Sequence, residues 1–257
     1  MSSLKPTTKT PANFRFTCYG LTHTGLVRDH NEDSYACVND QELWMVADGM
    51  GGHSSGDFAS RTLAEQAKKF RRQPKLEQSI LLLEETFLNA HQRILDETAS
   101  RPSQATIGST LVSLFAWQDL AFVMWAGDSR AYVLRDGKLI RLTEDHSLVE
   151  ELVRMGQLAA DKAEEHPASN VVLNAVGIEN NLYFDLEYSP IHDQDLFLLC
   201  SDGLYKDLSD DTIETLLNDQ ADDLEKASSK LLEAALEAGG SDNCTVVLIK
   251  AEQRDRA

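Results

Sequence analysis

The sequence predicts an α+β fold in one domain, with antiparallel strands at the centre and helices packed against them. Between residues 108 and 142, short β-rich runs alternate with turn signals, the pattern of an antiparallel meander. Residues 57–99 hold two successive amphipathic helical stretches whose apolar faces are most economically buried on a sheet. Finally, the apolar runs Leu43–Ala47 and Leu196–Cys200 each stop at an Asp-Gly pair, as strands covered on both faces do when they leave a core. A chain of 257 residues is long enough to build one large core without dividing.

In chain order, residues 1–13 are polar and Pro-containing and are expected to be a flexible segment ahead of a domain at 14–251. Phe14, Phe16, Cys18 and Tyr19 mark a first strand, and a charged loop over His23–Ser34 follows it. Tyr35–Val38 and Leu43–Ala47 flank the Asn39-Asp40 turn as hairpin partners, which brings Glu32, Asp33 and Asp48 to neighbouring strand ends. Helical spacing predicts a helix from Asp57 to Arg72, ended by Pro74, and a longer one from Leu76 to Ala99. His91 lies on that second apolar stripe and reads as a core or flanking histidine, not a ligand. Leu111–Trp117, Ala121–Ala126, Ala131–Leu134 and Leu139–Leu142 form the meander, with Asp136-Gly137 a strong hairpin signal. A helix follows over His146–Gly156, and Gln157–Asn170 is polar enough to be an exposed, mobile insertion. After the Leu196 strand come helices at Asp210–Asn218 and Leu224–Ala238, a Gly239-Gly240 stop, and a last strand at Thr245–Ile249.

Composition removes several function classes. With 24 Lys and Arg against 42 Asp and Glu, the net charge is −18, which repels nucleic acid and anionic membrane surfaces. Cys18, Cys37, Cys200 and Cys244 are widely spaced, without zinc or redox spacing, and are expected to be reduced thiols in a cytoplasmic protein. There is no signal-like apolar segment and no apolar window long enough to span a bilayer.

The acidic residues then become the main signal. Glu32, Asp33, Asp48, Asp128, Asp202 and Asp242 all fall at strand termini, several beside Gly or Asn. Gathered at one sheet edge they would repel one another by several kcal/mol per close pair, on the order of 4 kcal/mol at an effective dielectric constant near 20. Divalent cations are the natural remedy, and carboxylate and carbonyl oxygens suit Mg²⁺ or Mn²⁺. Glycines such as Gly49 are expected to take positive φ and to approach a ligand closely. Paired divalent ions activate water and clamp a phosphoryl centre, which is phosphate-ester hydrolysis.

Arg28, Asn31-Glu32-Asp33-Ser34, Asp48-Gly49-Met50-Gly51-Gly52-His53, Gly108-Ser109-Thr110, Gly127-Asp128-Ser129-Arg130, Asp145-His146-Ser147, Ser201-Asp202-Gly203-Leu204 and Asp242-Asn243 occur in the order and spacing of one family. Over residues 14–250 the chain resembles the PPM (type-2C) metal-dependent serine/threonine protein phosphatases in their bacterial form. The resemblance implies an αββα sandwich of two antiparallel sheets flanked by helix pairs, with two Mn²⁺ or Mg²⁺ ions at one edge. It implies that Asp48 bridges the ions, that the Gly49 carbonyl and Glu32 serve one, and that Asp202 and Asp242 serve the other. Asp33 would orient water at the metals, Asp128 with Asp202 would hold a third, weaker ion, and Arg28 would bind phosphate. Residues 147–170 would form a flap beside the site.

One departure is Met50, since animal members carry a histidine at that position as a proposed general acid. His53 is the nearby alternative, and proton delivery by water at the metals is preferred to it. The substrates implied are phosphorylated proteins, with a Ser/Thr kinase and its targets as partners, for a monomer acting in signalling or secretion control. The alternatives are a catalytically weak regulatory binding module, which would lack a metal ligand, and a phosphatase dedicated to one small regulatory protein.

Overall fold

The run Leu43–Ala47 is apolar at every position because both of its faces are covered. In the computed structural model, which describes residues 13–51, 55–101, 106–163, 166–178 and 181–254, it belongs to strand β3 (Leu43–Gly51). Leu43, Met45 and Ala47 face a cluster with helices α1 (Gly56–Ala67) and α2 (Leu76–Ser100), while Trp44 and Val46 face the opposite side. The same alternation holds in β10 (Leu196–Cys200): Leu196, Leu198 and Cys200 meet α5 (Asp210–Asp219) and α6 (Leu224–Ala238), and Phe197 and Leu199 point inward. The inward residues of both strands share one cluster, so the layers are helices, sheet, sheet, helices. Trp44 is fully buried at the centre of that cluster, where truncation to Ala would cost about 3–5 kcal/mol.

One sheet has the order β1 (Phe14–His23), β11 (Cys244–Gln253), β10, β7 (Arg130–Arg135), β8 (Lys138–Arg141). The other runs β2 (Asp33–Val38), β3, β5 (Leu111–Trp117), β6 (Leu120–Ala126), β9 (Asp185–Pro190), with β4 (Ile107–Ser109) paired to the far end of β3. Every pairing among these strands is antiparallel. The αββα sandwich is therefore the fold of this chain.

Several expectations change. The meander is split, because β5 and β6 pair in one sheet and β7 and β8 in the other. The break is at Gly127, whose φ of +107° turns the chain from one sheet to the other. The Asp136-Gly137 hairpin stands as expected, with φ of 50° and 76° at its two central residues. β3 does not end at Asp48. It exchanges its partner β5 for β4 and continues to Gly51. Helix α1 stops at Ala67, short of Arg72, and a turn from there buries Phe70 against Phe115 with ring centroids 5.5 Å apart. Asp202-Gly203 is not a plain turn but the start of a one-turn helix, α4 (Asp202–Tyr205).

Within residues 147–170 the structure has a short helix, α3 (Leu148–Arg154), and a 3₁₀ turn at Ala160–Lys162. His91 is buried, with Nδ1 accepting from the Gly177 amide at 2.9 Å, and burial lowers its pKa. All four cysteines are free. Residues 1–12, Gly52, His53, Glu164 and Glu165, on which earlier expectations fell, lie outside the described residues.

Candidate active site

Strands from both sheets end at one edge, around a cleft of about 1120 Å³. Arg28, Glu32, Asp48, Gly49, Asp128, Asp202 and Asp242 all line it, as does Met50. Residues separated by more than 200 positions in sequence thus meet at one place. Asp33 alone of the expected set does not line the cleft; it is buried beneath it.

Asp48 is fixed by its backbone. Its amide donates to Thr110 Oγ1 at 3.0 Å, and its carbonyl accepts from Thr110 N and Ser109 Oγ, each at 2.9 Å. Thr110 Oγ1 is in turn 2.6 Å from Ser129 Oγ, next to Asp128. The Ser109-Thr110 pair therefore ties the loops of Asp48 and Asp128 together, leaving the Asp48 side chain to the cleft.

Asp33 joins the two sheets. Its Oδ2 accepts from Ser201 Oγ and Thr245 Oγ1, both at 2.7 Å, although Asp33 starts β2 in one sheet and the hydroxyls end β10 and begin β11 in the other. Thr245 Oγ1 also lies 2.6 Å from Thr22 Oγ1, which accepts from Asn31 Nδ2 at 2.9 Å. Ser201 and Thr245 carried no role in the sequence reading, and nothing in local periodicity marks a hydroxyl at a strand end as a carboxylate's partner.

Glu32 Oε1 accepts from the amide of Gly56, the first residue of α1, at 3.1 Å. The Gly49 backbone is not left-handed, contrary to expectation. Its requirement is close packing: a Cβ there would lie 2.2 Å from the Gly56 carbonyl oxygen and 2.6 Å from that of Glu32. Asn243 organises the loop that carries Arg28 and Glu32. Its Oδ1 accepts from Glu32 N at 2.7 Å, and its Nδ2 donates to the carbonyls of Thr24 and His30 at 2.8 and 2.9 Å.

A second support lies behind Asp128. Arg130 forms a forked, buried ion pair with Asp145, 2.7 Å at its shortest, and its guanidinium stacks 3.4 Å above the Tyr205 ring. The Tyr205 hydroxyl donates to the Asp128 carbonyl at 3.0 Å. His146 Nδ1 accepts from Gly127 N and Asn174 Nδ2, at 3.2 and 3.0 Å, which leaves Nε2 to carry the proton towards Asp185. The Gly-Asp-Ser-Arg and Asp-His-Ser motifs are thus one packed unit.

This architecture matches known proteins. The sequence matches the family described as protein phosphatase 2C over residues 23–237. The chain belongs to the protein phosphatase 2C family. This phosphatase is 35% identical over 238 residues to serine/threonine phosphatase stp of Listeria monocytogenes serotype 4b (strain F2365), covering 90% of this chain and 94% of that protein. It superposes with a TM-score of 0.84 on PppA, a key regulatory component of T6SS in Pseudomonas aeruginosa, at 34% identity over 92% of this chain and 97% of that one. On the catalytic domain of PstP in complex with 2 manganese ions the TM-score is 0.83, at 29% identity over 93% and 100% of the two chains. It is a protein serine/threonine phosphatase of the bacterial branch, and its family is metal-dependent.

The residues of this phosphatase fit cations, although no three Asp, Glu, His or Cys side chains among the described residues converge as a ready cage. The reason is that the carboxylates are engaged elsewhere: Arg28 holds Asp242 at 2.7 Å, Lys206 holds Asp202 at 2.5 Å, and Glu32 caps α1. Yet Oδ1 of both Asp33 and Asp202 is buried with no hydrogen-bond partner among the described residues. Burial, then Asp33, Asp202, Asp128 and Asp242, push the Asp48 carboxyl well above the usual range. Burial is also the chief cause at Asp33 and Asp128, each pushed up to about 7, with Asp202 adding to both. Burial penalises the Lys206 ammonium, but Asp202, with Asp128 and Asp48, holds its pKa above the ordinary value. Positive charge is what this cluster lacks.

Proposed function

We propose that this phosphatase releases phosphate from phosphoserine and phosphothreonine of protein substrates at a site built around two Mn²⁺ or Mg²⁺ ions. The observation that carries the reading is the convergence of Arg28, Glu32, Asp48, Gly49, Asp128, Asp202 and Asp242 on one cleft. Asp48 would serve both ions, with Glu32 and the Gly49 carbonyl on one and Asp202 and Asp242 on the other, while Asp128 lines the cleft beside Asp202. Bound ions supply charge neutralisation and an activated water for in-line attack on phosphorus. Asp33, whose Oδ2 is fixed by Ser201 and Thr245 beneath the cleft, keeps Oδ1 unpartnered among the described residues and would orient that water through it. Arg28 is more than half exposed, with 56% of its side chain accessible, so it can leave Asp242 and grip phosphate oxygens with its planar fork. Met50 offers no proton, so the leaving oxygen is protonated from water.

The proposed partners are a Ser/Thr kinase and its targets, met in the cytoplasm by a monomer in signalling or secretion control. The relation to PppA, a T6SS regulatory component in its own organism, supports the regulatory setting. Among the described residues no helix is long and apolar enough to cross a membrane. All the carboxylates that the family's centre requires are present, which favours an active enzyme over a silent binding module. The test is Mn²⁺-dependent phosphate release from a phosphothreonine peptide by the intact chain, Asp48→Asn and Asp202→Asn. Loss of about a hundredfold or more is expected in both variants; activity that survives chelation would defeat the reading.

A further inference from the structure

Lys206 stands one turn after Asp202, at the C-terminal flank of α4, and its ammonium is placed among acceptors. Nζ donates to Asp202 Oδ2 at 2.5 Å and to Asn170 Oδ1 at 2.6 Å, with 19% of the side chain accessible. Asp202 is nine-tenths buried at 8% exposure, its Oδ1 has no hydrogen-bond partner among the described residues, and it faces the same cleft as Asp128. Asp128, 4% exposed, feels the charges of both Asp202 and Lys206. The backbone beneath is rigid: Tyr205, between Asp202 and Lys206, is tied to the Asp128 carbonyl and packed under Arg130. A lysine in this position is not a solvated surface residue.

We infer that Lys206 is a resident monovalent cation of the Asp128–Asp202 pair, so that this chain holds two divalent ions and excludes a third from that pair. The inference rests on the binuclear reading above and refines it for this chain's own residues. The charge on Lys206 is covalently attached, so it is present at every metal concentration. It takes one oxygen of Asp202 and repels a dication from the space beside it. The contact with Asn170 extends the same side chain to the rim of the cleft, so Lys206 also anchors the end of the 147–170 segment against the acidic floor. A neutral residue at 206 would leave Asp128 and Asp202 as an uncompensated carboxylate pair, the environment that collects a divalent ion.

The experiment counts bound Mn²⁺ by equilibrium dialysis with elemental analysis and locates it by anomalous scattering from crystals soaked in Mn²⁺. It uses the full chain, Lys206→Ala, Lys206→Arg and the double variant Lys206→Ala/Asp128→Asn. The full chain and Lys206→Arg are expected to saturate at two ions. Lys206→Ala should gain a third ion against Asp128 and Asp202, with affinity at that position raised on the order of tenfold or more. The double variant should lose it again. A third ion in the full chain at the Mn²⁺ concentration that fills it in Lys206→Ala overturns the inference, as does a Lys206→Ala protein that stays at two. Failure of the binuclear reading gives a different result: no Mn²⁺ beside Asp48 in any of the four. Where the alanine variant folds poorly, Lys206→Gln, which keeps the length of the side chain without its charge, takes its place with the same expected and overturning results.

Discussion

Asp33 and Asp48 are register partners across the β2–β3 ladder, yet Asp33 has one oxygen held by two hydroxyls while Asp48 turns its side chain to the cleft. Both carboxyls are pushed up chiefly by burial; Asp33 adds directly to the shift at Asp48, and Asp202 and Asp242 add to both. The difference in partners separates their roles: one is part of the frame between the sheets, the other is free for a cation. Asp48→Asn should therefore remove Mn²⁺ binding and phosphatase activity without unfolding the protein. In chelator, it should be more stable than the parent by about 1 kcal/mol, a rise in Tm of roughly 2–4 °C for a chain of this size, because one repelling charge is gone. Differential scanning calorimetry with and without Mn²⁺ checks this, and a metal-free variant that melts well below the parent would contradict it.

The same cluster sets a pH dependence. Asp33 and Asp128 rise to about 7 in the folded chain from an ordinary 3.8, so between those values the native state binds more protons than the unfolded state. Stability contributed by these groups is complete below about pH 4 and is lost as pH climbs through 7. Metal-free protein should thus melt at higher temperature at pH 5.5 than at pH 8. Saturating Mn²⁺ should reverse the trend, since carboxylate ligands bind metal only when deprotonated. Melting curves across pH 5–8 in chelator and in Mn²⁺ would show the two slopes, and equal slopes would remove the carboxylates as the cause.

The buried Arg130–Asp145 pair predicts a loss of the opposite kind. Its side chains are only 10% and 6% accessible, and Arg141 adds a second contact to Asp145 at 2.7 Å. Arg130→Ala leaves Asp145 with Arg141 as its cation but removes the fork and the stack on Tyr205, so it should cost about 1–3 kcal/mol in urea unfolding. Arg130→Lys should recover only part of this, because a lysine can neither fork onto Asp145 nor stack on Tyr205. A cost below 1 kcal/mol would mean that the pair is not the anchor of the Asp128 loop.

What was legible in the sequence was what a local pattern can carry. The apolar runs that stop at Asp48 and Asp202 announced strand ends, and the helices at residues 57–99 and 210–238 announced layers, because burial imposes periodicity on the residues themselves. The split of the meander was not legible. β6 and β7 are separated by a Gly-Asp pair and β7 and β8 are joined by an Asp-Gly pair, signals too alike to tell apart, and Gly127's place beside Thr110 sends the chain into the other sheet. Nor was the pairing of β1 with β11, Phe14 opposite Gln253, since no window contains both strands. Thr245, Ser201 and Lys206 escaped for a chemical reason: a hydroxyl at a strand end and a lysine after a helical turn are ordinary surface features until distant carboxylates are placed against them. The acids were visible one by one, and their partners only in three dimensions.

Asn243 joins these two kinds of information, because it follows an expected ligand yet its function is architectural. Three hydrogen bonds from its amide hold Glu32 N, the Thr24 carbonyl and the His30 carbonyl, so the loop carrying Arg28 is registered against Asp242 from the next residue along. Asn243→Ala would leave these backbone groups without partners in a half-buried place, at a cost of about 1–3 kcal/mol for a group left unsatisfied. Displacing Arg28 and Glu32 by about 1 Å should lower kcat/KM on a phosphothreonine peptide by as much as 10²-fold, a larger effect than the loss of stability alone produces below the melting temperature. Asn243→Asp keeps the acceptor for Glu32 N but loses the donors, and should fall between the two. The exposed Lys230–Glu233 pair on α6 supplies the control, since Lys230→Ala should leave both quantities unchanged. Full activity in Asn243→Ala would show that the loop is held by its other contacts, such as Leu26 N to the Gly240 carbonyl at 2.8 Å and Asn31 Nδ2 to Thr22 Oγ1 at 2.9 Å, and not by this amide.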